Sequence, residues 1–289
     1  MNIETLACFP DMQVHTAHGT TGYREAGAMH LRTLPVVLLH GIGSGAASWI
    51  RQLDVLGSTR RVLAWDAPGY GISTGVASEA PIAADYARAL SAWLDAIDVD
   101  RCVLVGHSLG AIIAGSFAAS APERVAGLLL ISPAAGYGAA SKEVRESKRD
   151  ARLKMLHELG PQGLARERSA NMVSHHADEA AREWVRWNMA RIVPEGYAQA
   201  THLLANADLA ADIARFHGRI AVAVGAEDAI TPPAACERIA QAAHVSLQVM
   251  PRAGHAGYVE SPAAYTALIA SFCNGIECHM SHTKDGVPQ

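Results

Sequence analysis

The sequence holds few cysteines, and they are odd in number and scattered: Cys8, Cys102, Cys236, Cys273 and Cys278. Such a set does not form the paired framework of a small, disulfide-stabilised secreted domain. We therefore expect free thiols and a cytoplasmic location, with Cys102 packed as a small apolar side chain in a core strand. Cys278 stands near His279 and His282, but no fourth ligand completes a zinc-binding spacing, so we predict no metal site.

Long hydrophobic runs are missing as well. No stretch approaches the ~18 apolar residues of a membrane-spanning helix, and the first residues carry Glu4 and no basic segment ahead of an apolar run. We expect neither a membrane span nor a signal peptide. The net charge is only −4, without a basic stripe, which argues against a nucleic-acid partner. Hydrophobic residues make up 50% of the 289, enough to bury the core of a large domain.

Short apolar runs alternate with helical patterns along most of the chain. The alternation predicts an α/β fold with a mostly parallel central sheet and helices on both faces. Apolar residues recur at helical spacing over 82–97. The segment 19–22, with glycine at both ends, indicates a turn between the first two strands, which we expect to be antiparallel. The predicted strands are 14–18, 23–26, 35–39, 61–65, 102–105, 127–131, 220–224 and 245–250.

The interval between strands 127–131 and 220–224 breaks this rhythm. It spans roughly 88 residues that are rich in charge and helix formers, whereas a crossover helix needs only about a dozen. We predict a helical lid at 134–207 over the carboxyl edge of the sheet, with a purely structural helical subdomain as the alternative. The core then comprises 1–133 and 208–273, and the polar residues 274–289 are expected to form a disordered tail.

A G-x-S-x-G segment, Gly106–Gly110, follows one of the predicted core strands. A helix-compatible apolar stretch, 111–119, comes directly after it. Strand, tight turn and helix are the context of a nucleophile elbow, in which a strained turn holds a serine hydroxyl clear of the backbone. Ser108 is therefore the candidate nucleophile. The alternative is an ordinary strand-to-helix turn that contains a serine.

A serine nucleophile needs a base and a carboxylate that orients it, and in a parallel sheet these lie after the carboxyl ends of strands. Asp228 follows strand 220–224, and we prefer it to the neighbouring Glu227 because it lies farther into the loop. A helix-capping role is the alternative for Asp228. The candidate base is His255, which stands between glycines after the last strand.

An acyl-transfer site also needs N–H donors for the developing oxyanion. The backbone N–H of Leu109, directly after the nucleophile, is one candidate, and that of Ile42 in a glycine-rich loop is the other. A phosphate-binding loop is excluded because no Lys-Ser/Thr follows and the glycine spacing is not G-x-G-x-x-G. His107 cannot easily reach the Ser108 hydroxyl from the elbow, and it is expected to line the site or support the turn.

Five motifs in this order resemble the α/β-hydrolase fold superfamily, over roughly residues 13–273. The order serine, acid, histidine is also that of the superfamily. By this resemblance, Asp66–Ser73 forms a structural turn and takes no part in catalysis. The motifs are His40–Gly43, Asp66–Ser73, the elbow at Gly106–Gly110, Gly225–Asp228, and Gly254-His255 with Glu260-Ser261-Pro262.

Two subfamilies compete within this resemblance. Pro194–Ala198, followed by Asp228–Pro233, resembles 3-oxoadipate enol-lactonases and related small esterases. His40–Ala46 with Trp49 is similar to a segment of meta-cleavage C–C bond hydrolases of aromatic catabolism. Those enzymes commonly carry tryptophan directly after the catalytic histidine, where this chain has Ala256, which counts against C–C bond hydrolysis.

Both subfamilies act on small carboxylate-bearing products of ring cleavage, so the resemblance implies an arginine that meets an anionic substrate. Arg191 is the candidate, because arginine suits bidentate binding of a carboxylate; a solvated lid residue is the alternative. Gly43 and His107 are further candidate substrate contacts. The expected partner is a small molecule, and a homo-oligomer is compatible with the sequence.

The predicted reaction is hydrolysis of a small carboxylic ester or lactone through an acyl-enzyme on Ser108, without metal or organic cofactor. One alternative is C–C bond hydrolysis. A second is cofactor-free haloperoxidase or perhydrolase activity, which uses the same three side chains. A third is a non-catalytic ligand-binding protein of this fold. Epoxide hydrolases and dehalogenases are disfavoured, because they resemble this fold with aspartate at the elbow position.

Overall fold

One sheet of eight strands organises the protein, whose computed structural model describes residues 3–29 and 33–284. The strands are β1 Met12–Thr16, β2 Gly19–Ala26, β3 Val36–Leu39, β4 Val62–Trp65, β5 Cys102–His107, β6 Val125–Ile131, β7 Ile220–Gly225 and β8 Leu247–Met250. They lie in the order β1-β2-β4-β3-β5-β6-β7-β8. The six strands from β3 to β8 run parallel, and β1 and β2 pair antiparallel at one edge.

Helices cover both faces of the sheet, which confirms the predicted fold class. They are α1 Ile3–Ala7, α2 Ile50–Leu56, α3 Ala83–Ala96, α4 Leu109–Ser120, α5 Lys142–Arg168, α6 Glu179–Met189, α7 Pro194–Asn206, α8 Leu209–Ile213, α9 Pro233–Ala242, α10 Gly257–Glu260 and α11 Pro262–Lys284. Helices α3, α4 and α9 pack on one face, and α2 and α11 pack on the other. Within the described ranges, no helix combines the length and apolarity needed to cross a membrane.

The parallel strands are apolar throughout because both of their faces are buried. In β3, Val37 and Leu39 contribute to the cluster under α3 and α4, while Val36 and Leu38 contribute to the cluster under α2 and α11. Successive side chains of a strand point to opposite faces, so a strand between two helical layers needs an apolar residue at every position. All four residues of β3 are completely buried.

The turn of the N-terminal hairpin lies at 17–18, so the predicted turn at 19–22 is wrong. Thr16 pairs with Gly19 across the two strands, and Gly19 takes a φ of 101° that closes the hairpin there. Gly22 lies inside β2, where an added Cβ would come within 2.6 Å of Ile72 Cγ1. That glycine serves a close approach to the loop after β4, a role that the sequence pattern does not distinguish from a turn.

The described residues between β6 and β7 form helices and contain no strand. Helices α5, α6 and α7 belong to the segment 134–207, which we call the helical insertion. Helix α5 is kinked at Gly160, where φ is 59°, and Pro161 follows. A proline cannot donate the helical hydrogen bond and clashes with the preceding turn, so the chain changes direction there. The insertion thereby reaches across the carboxyl ends of the parallel strands, where its side chains share a cavity with Ser108.

One contact between the helical insertion and the core joins two glycines. A Cβ added to Gly196, in the first turn of α7, would lie 1.9 Å from the carbonyl oxygen of Gly69. Gly69 itself has a φ of 81°, in the turn after β4. Atoms cannot approach this closely without displacement, so a side chain at 196 would push α7 away from the core.

We expect Gly196→Ala to lower the free energy of unfolding by about 1–3 kcal/mol, because the added methyl group overpacks a backbone contact. Urea denaturation of the purified variant measures this change. Glu195→Ala, an exposed position in the same turn, is the control and should stay within about 0.5 kcal/mol of the wild type. Equal effects of the two substitutions would contradict the close glycine contact.

The C-terminal helix runs further than expected. Residues 274–284 continue α11, so the predicted disordered tail is wrong for them, and 285–289 lie outside the described residues. Ile276 is buried against Gly127 of β6, and Arg60 donates to both Asn274 Oδ1 and Glu277 Oε1 at 2.9 Å. The buried Ile276 and the hydrogen bonds from Arg60 therefore hold this part of the helix against the core.

Candidate active site

Ser108 occupies a strained turn at the centre of the sheet. Strand β5 ends at His107 and α4 begins at Leu109, so the serine forms the whole connection. Its φ of 53° and ψ of −113° lie outside the regions that side-chain-bearing residues commonly adopt. The Ser108 N–H donates to the Ile131 carbonyl at 3.1 Å, which ties the turn to β6. This is the backbone arrangement of a nucleophile elbow.

The glycines on either side of Ser108 make the sharp turn possible. A Cβ on Gly106 would lie 2.5 Å from the Gly110 carbonyl oxygen, and one on Gly110 would lie 2.4 Å from the Leu39 carbonyl oxygen. Strand β5, helix α4 and the end of β3 therefore pack backbone against backbone, with no side chain between them. Any larger residue at 106 or 110 would open the turn and move Ser108.

The structure brings Asp228 and His255 together. His255 Nδ1 donates to Asp228 Oδ2 at 2.9 Å, and both side chains are almost completely buried. The two residues come from the loops after β7 and β8, neighbouring parallel strands whose carboxyl ends meet at one edge of the sheet. With Nδ1 carrying the proton, the neutral imidazole presents Nε2 as an acceptor.

Hydrogen bonds keep the Asp228 carboxylate charged. Burial opposes its ionisation, but the bond from His255 and the backbone N–H of Thr231 outweigh burial and lower the pKa of Asp228 to about 2. Its Oδ1 accepts from the N–H groups of Ile230 and Thr231, both at 2.8 Å. A carboxylate fixed in this way can orient the imidazole and stabilise its protonated form.

Glu260, from the Glu260-Ser261-Pro262 motif, holds the loop of His255. The Glu260 carboxylate accepts from the Gly254 N–H and, at 2.9 Å, from both the N–H and the hydroxyl of Ser174 in the helical insertion. The N–H of Ala256 donates to the Met172 carbonyl at 2.6 Å. The histidine loop is therefore fastened to the insertion on both sides of His255.

His107 lies directly behind His255. Its Nε2 donates to the His255 carbonyl at 2.9 Å, and the two rings are 4.7 Å apart between centroids. Burial, reinforced by the neighbouring His255, lowers the pKa of His107 to about 3. The ring is therefore neutral over the physiological range and adds no competing positive charge. It also lines the cavity that contains Ser108.

The two candidate oxyanion donors border the same cavity as Ser108. Leu109 is the first residue of α4, so its N–H has no carbonyl one turn earlier in the helix to bond. The Gly41 carbonyl accepts from His40 Nδ1 at 2.8 Å and from the Ser44 N–H at 3.2 Å. Because the C=O and N–H of a trans peptide point in opposite directions, anchoring this carbonyl also fixes the direction of the Ile42 N–H.

A cavity of about 570 Å³ opens over Ser108, between the core loops and the helical insertion. Gly43 borders it, and an added Cβ there would lie 3.1 Å from Met189 Cε of the insertion. Apolar side chains such as Met155, Leu164 and Val185 form much of its wall. A volume of this size suits a small organic ligand.

The deciding comparison is with protein families. The α/β hydrolase fold family matches residues 35–262. The chain belongs to the α/β-hydrolase fold family. The matched range includes every candidate catalytic residue: Ser108, Asp228 and His255.

The proteins that this hydrolase resembles are named for different hydrolytic activities. The "Putative carbamate hydrolase RutD" of Variovorax paradoxus is 32% identical over 247 residues, which cover 82% of this chain and 90% of that protein. A thermophilic esterase from Thermogutta terrifontis, solved with malate bound, is 25% identical, with a TM-score of 0.81 over 92% of this chain and 99% of that one. The enol-lactonase from Burkholderia xenovorans shares the fold, at 22% identity and a TM-score of 0.80 over 91% and 100% of the chains.

Arg191, the predicted contact for an anionic substrate, is not among the basic residues that border the cavity of this hydrolase. It is exposed, and its guanidinium lies over the Trp187 ring, 4.5 Å from the centroid. Four other basic side chains border the cavity, and sequence reasoning missed them: Lys148, Arg152, Arg168 and Arg238. The four-residue spacing of Lys148 and Arg152 on one helix was the available signal, since residues four apart share a helix face.

Glu227, the competitor for the role of the acid, points away from His255 in this hydrolase. Its carboxylate instead contacts His175 Nδ1 at 2.6 Å and His176 Nε2 at 3.1 Å. The structure therefore places Asp228, rather than Glu227, beside the candidate base.

Proposed function

We propose that this hydrolase cleaves a small carboxylic ester or lactone that carries a carboxylate, through an acyl-enzyme on Ser108. The hydrogen bond between Asp228 and His255, at the same cavity as the strained Ser108 turn, carries the proposal. Acyl transfer requires a carboxylate-oriented imidazole at the same cavity as a serine, because serine is a poor nucleophile without a base.

In the first half of the reaction, His255 Nε2 takes the proton of the Ser108 hydroxyl as Oγ bonds to the carbonyl carbon. The carbonyl electron pair moves to the oxygen, which the N–H groups of Ile42 and Leu109 stabilise. Collapse of this intermediate breaks the bond to the alkoxide leaving group, which takes the proton from His255. The product of this half is an ester between the acyl group and Ser108.

In the second half, water replaces the leaving group. His255 removes a proton from water, whose oxygen attacks the acyl carbon, and Ser108 departs with that proton. During both halves His255 is transiently positive, and the ionised Asp228 stabilises it. His107 stays neutral behind the ring, so the imidazolium faces no second positive charge from that side.

The charges around the cavity favour an anionic substrate. Among the described lining residues, four carry a positive side chain and none carries a carboxylate. Arg152 is half-buried, and its guanidinium donates to the Tyr197 hydroxyl at 3.2 Å. No carboxylate of the described residues forms an ion pair with Arg152. Its charge is therefore available to a substrate carboxylate. The related thermophilic esterase was solved with malate, a dicarboxylate.

A carbamate is the second candidate substrate, favoured by the relative of 32% identity that is named a carbamate hydrolase. Its carbonyl carbon would follow the same two halves: the alkoxide or aryloxide leaves with the proton from His255, and water then releases the carbamoyl group from Ser108. C–C bond hydrolysis ranks lower, because the small side chain of Ala256 borders the cavity directly after His255, where the resembling enzymes commonly carry tryptophan.

A matched pair of esters tests the proposal. We expect p-nitrophenyl hydrogen succinate to be hydrolysed with a higher kcat/KM than p-nitrophenyl butyrate, which has no carboxylate. Arg152→Met should lower kcat/KM for the succinate ester about 10- to 100-fold, since a hydrogen bond to a charged group contributes roughly 1.5–3 kcal/mol. Steady-state kinetics on both esters, a lactone and an aryl carbamate measure these ratios.

Arg191→Met is the matched control and should leave both esters unaffected. The ratio between the two esters separates recognition of charge from a structural loss, because a distorted cavity would slow both. Equal losses on the two esters with Arg152→Met, or a selective loss with Arg191→Met, would contradict the assignment of Arg152.

A further inference from the structure

Two histidines and a glutamate form a compact cluster outside the cavity. His175 Nδ1 lies 2.6 Å from Glu227 Oε2, and His176 Nε2 lies 3.1 Å from Glu227 Oε1. The possible ligand atoms of the three residues all lie within 4.8 Å of one another. The two imidazole rings are tilted against each other with their centroids 3.7 Å apart. The cluster thus joins one carboxylate to two potential nitrogen ligands.

The two histidines stand on a loop whose backbone is already fixed. Ser174, which precedes them, is buried and donates to Glu260. Its carbonyl accepts from Arg182 Nη2 at 3.1 Å, and its hydroxyl accepts from the His176 N–H at 3.1 Å. Binding a ligand here therefore costs little ordering of the main chain, and only the side chains need to adjust.

The residue types and their spacing suit a transition-metal ion. Zinc binds histidine nitrogen and carboxylate oxygen at about 2.0–2.2 Å, and ligand atoms around a tetrahedral ion then lie about 3.3 Å apart. The two measured separations, 2.6 and 3.1 Å, are somewhat shorter than that value. The exposed His175 side chain can rotate to increase its distance from Glu227. Calcium and magnesium prefer sites made of oxygen alone. Exposure of the cluster leaves room for water at the remaining positions.

We propose that His175, His176 and Glu227 bind a zinc ion that ties the helical insertion to the loop carrying Asp228. His175 and His176 belong to the insertion, between α5 and α6, whereas Glu227 follows β7 in the core. The metal adds a coordinate link between two segments that flank the cavity. Because Glu227 precedes Asp228 in sequence, this link restrains the loop that orients His255, without placing the ion among the reacting groups.

Zinc binding tests the proposal directly. The experiment uses full-length protein with Cys8→Ser and Cys278→Ser, because both thiols are exposed and thiolates bind zinc themselves. Isothermal titration with Zn²⁺ alone, after treatment with a chelator, should show one site per chain. Adding His175→Ala or Glu227→Gln should weaken that site at least about tenfold. His217→Ala, at an exposed position on another surface, should leave the affinity unchanged.

Thermal unfolding supplies the second readout. Zn²⁺ should raise the midpoint of the parent protein, since an ion that binds only the folded chain stabilises it, and should not raise that of His175→Ala. Circular dichroism confirms folding of each variant, and His175→Asn replaces His175→Ala if the latter unfolds. The proposal is overturned if no site binds Zn²⁺, or if the site keeps its affinity in both His175→Ala and Glu227→Gln. Hydrolysis of the ester pair plays no part in either readout.

Discussion

The Ser108→Ala variant is expected to lose hydrolysis of p-nitrophenyl acetate by a factor of about 10³–10⁶ in kcat, the range seen when a serine nucleophile is removed. The loss follows from the chemistry, because no acyl-enzyme can form without Oγ. The turn itself tolerates the change: alanine has the same Cβ in the same backbone conformation, and the Ser108 N–H keeps its bond to Ile131. Steady-state kinetics with this chromogenic ester measure the effect.

Ser120→Ala is the control for Ser108→Ala. It removes a hydroxyl that bonds only to carbonyls of its own helix, α4, and should preserve turnover. A fluorophosphonate should label the wild-type protein once, with the adduct on Ser108 by peptide mass spectrometry, and should leave Ser108→Ala unlabelled. Retention of most activity by a folded Ser108→Ala variant would exclude the acyl-enzyme and favour non-catalytic ligand binding.

Asp228→Asn is expected to lower kcat by a factor of about 10³–10⁴ with little change in KM. An asparagine amide turned toward His255 Nδ1 offers a donor where the carboxylate accepted, so the imidazole takes the other tautomer and Nε2 loses its capacity as a base. The asparagine can still accept from Ile230 and Thr231, as Asp228 Oδ1 does. The loop should therefore stay folded, and kinetics with p-nitrophenyl acetate isolate the loss of orientation.

Glu227→Gln, assayed with a chelator present, is the matched control. The substitution removes the charge of the Glu227 carboxylate, which is next to Asp228 in sequence but contacts His175 and His176 instead of His255. It should change kcat by less than about threefold. The opposite result, a severe defect in Glu227→Gln and a mild one in Asp228→Asn, would transfer the role of the acid to Glu227 and would contradict the geometry described above.

Much of this architecture can be predicted from the sequence. The strand β3 is an unbroken apolar run because helices cover both of its faces, and periodicity reveals that directly. Ser108 could be located because its turn needs glycines on both sides for steric reasons. Asp228 and His255 could be located because parallel strands deliver their loops to one edge of the sheet. The first two rules depend on residues that are close in sequence, whereas the third depends on the parallel order of the strands, which the alternation of strands and helices predicts.

The features that the sequence does not predict depend on how the helices and loops pack. Arg191 and Arg152 are both arginines of the insertion, and only the packing of α5, α6 and α7 decides which one borders the cavity. The same applies to Ile276, whose burial against Gly127 turns an apparently polar tail into an ordered helix. His175 and Glu227 are 52 residues apart, and no spacing rule connects two loops that meet only in the folded chain.

Gly69 and Gly196 touch through backbone alone, and beside them Gln199 of α7 donates to the carbonyls of Val76 and Ser78. These contacts of α7 with the core lie outside the cavity over Ser108. Other residues of the same insertion, such as Met155 and Met189, border the cavity. Changes at those positions leave the glycine joint as it is. We therefore expect a directed library at these cavity positions to change substrate preference while α7 keeps its contacts with the core.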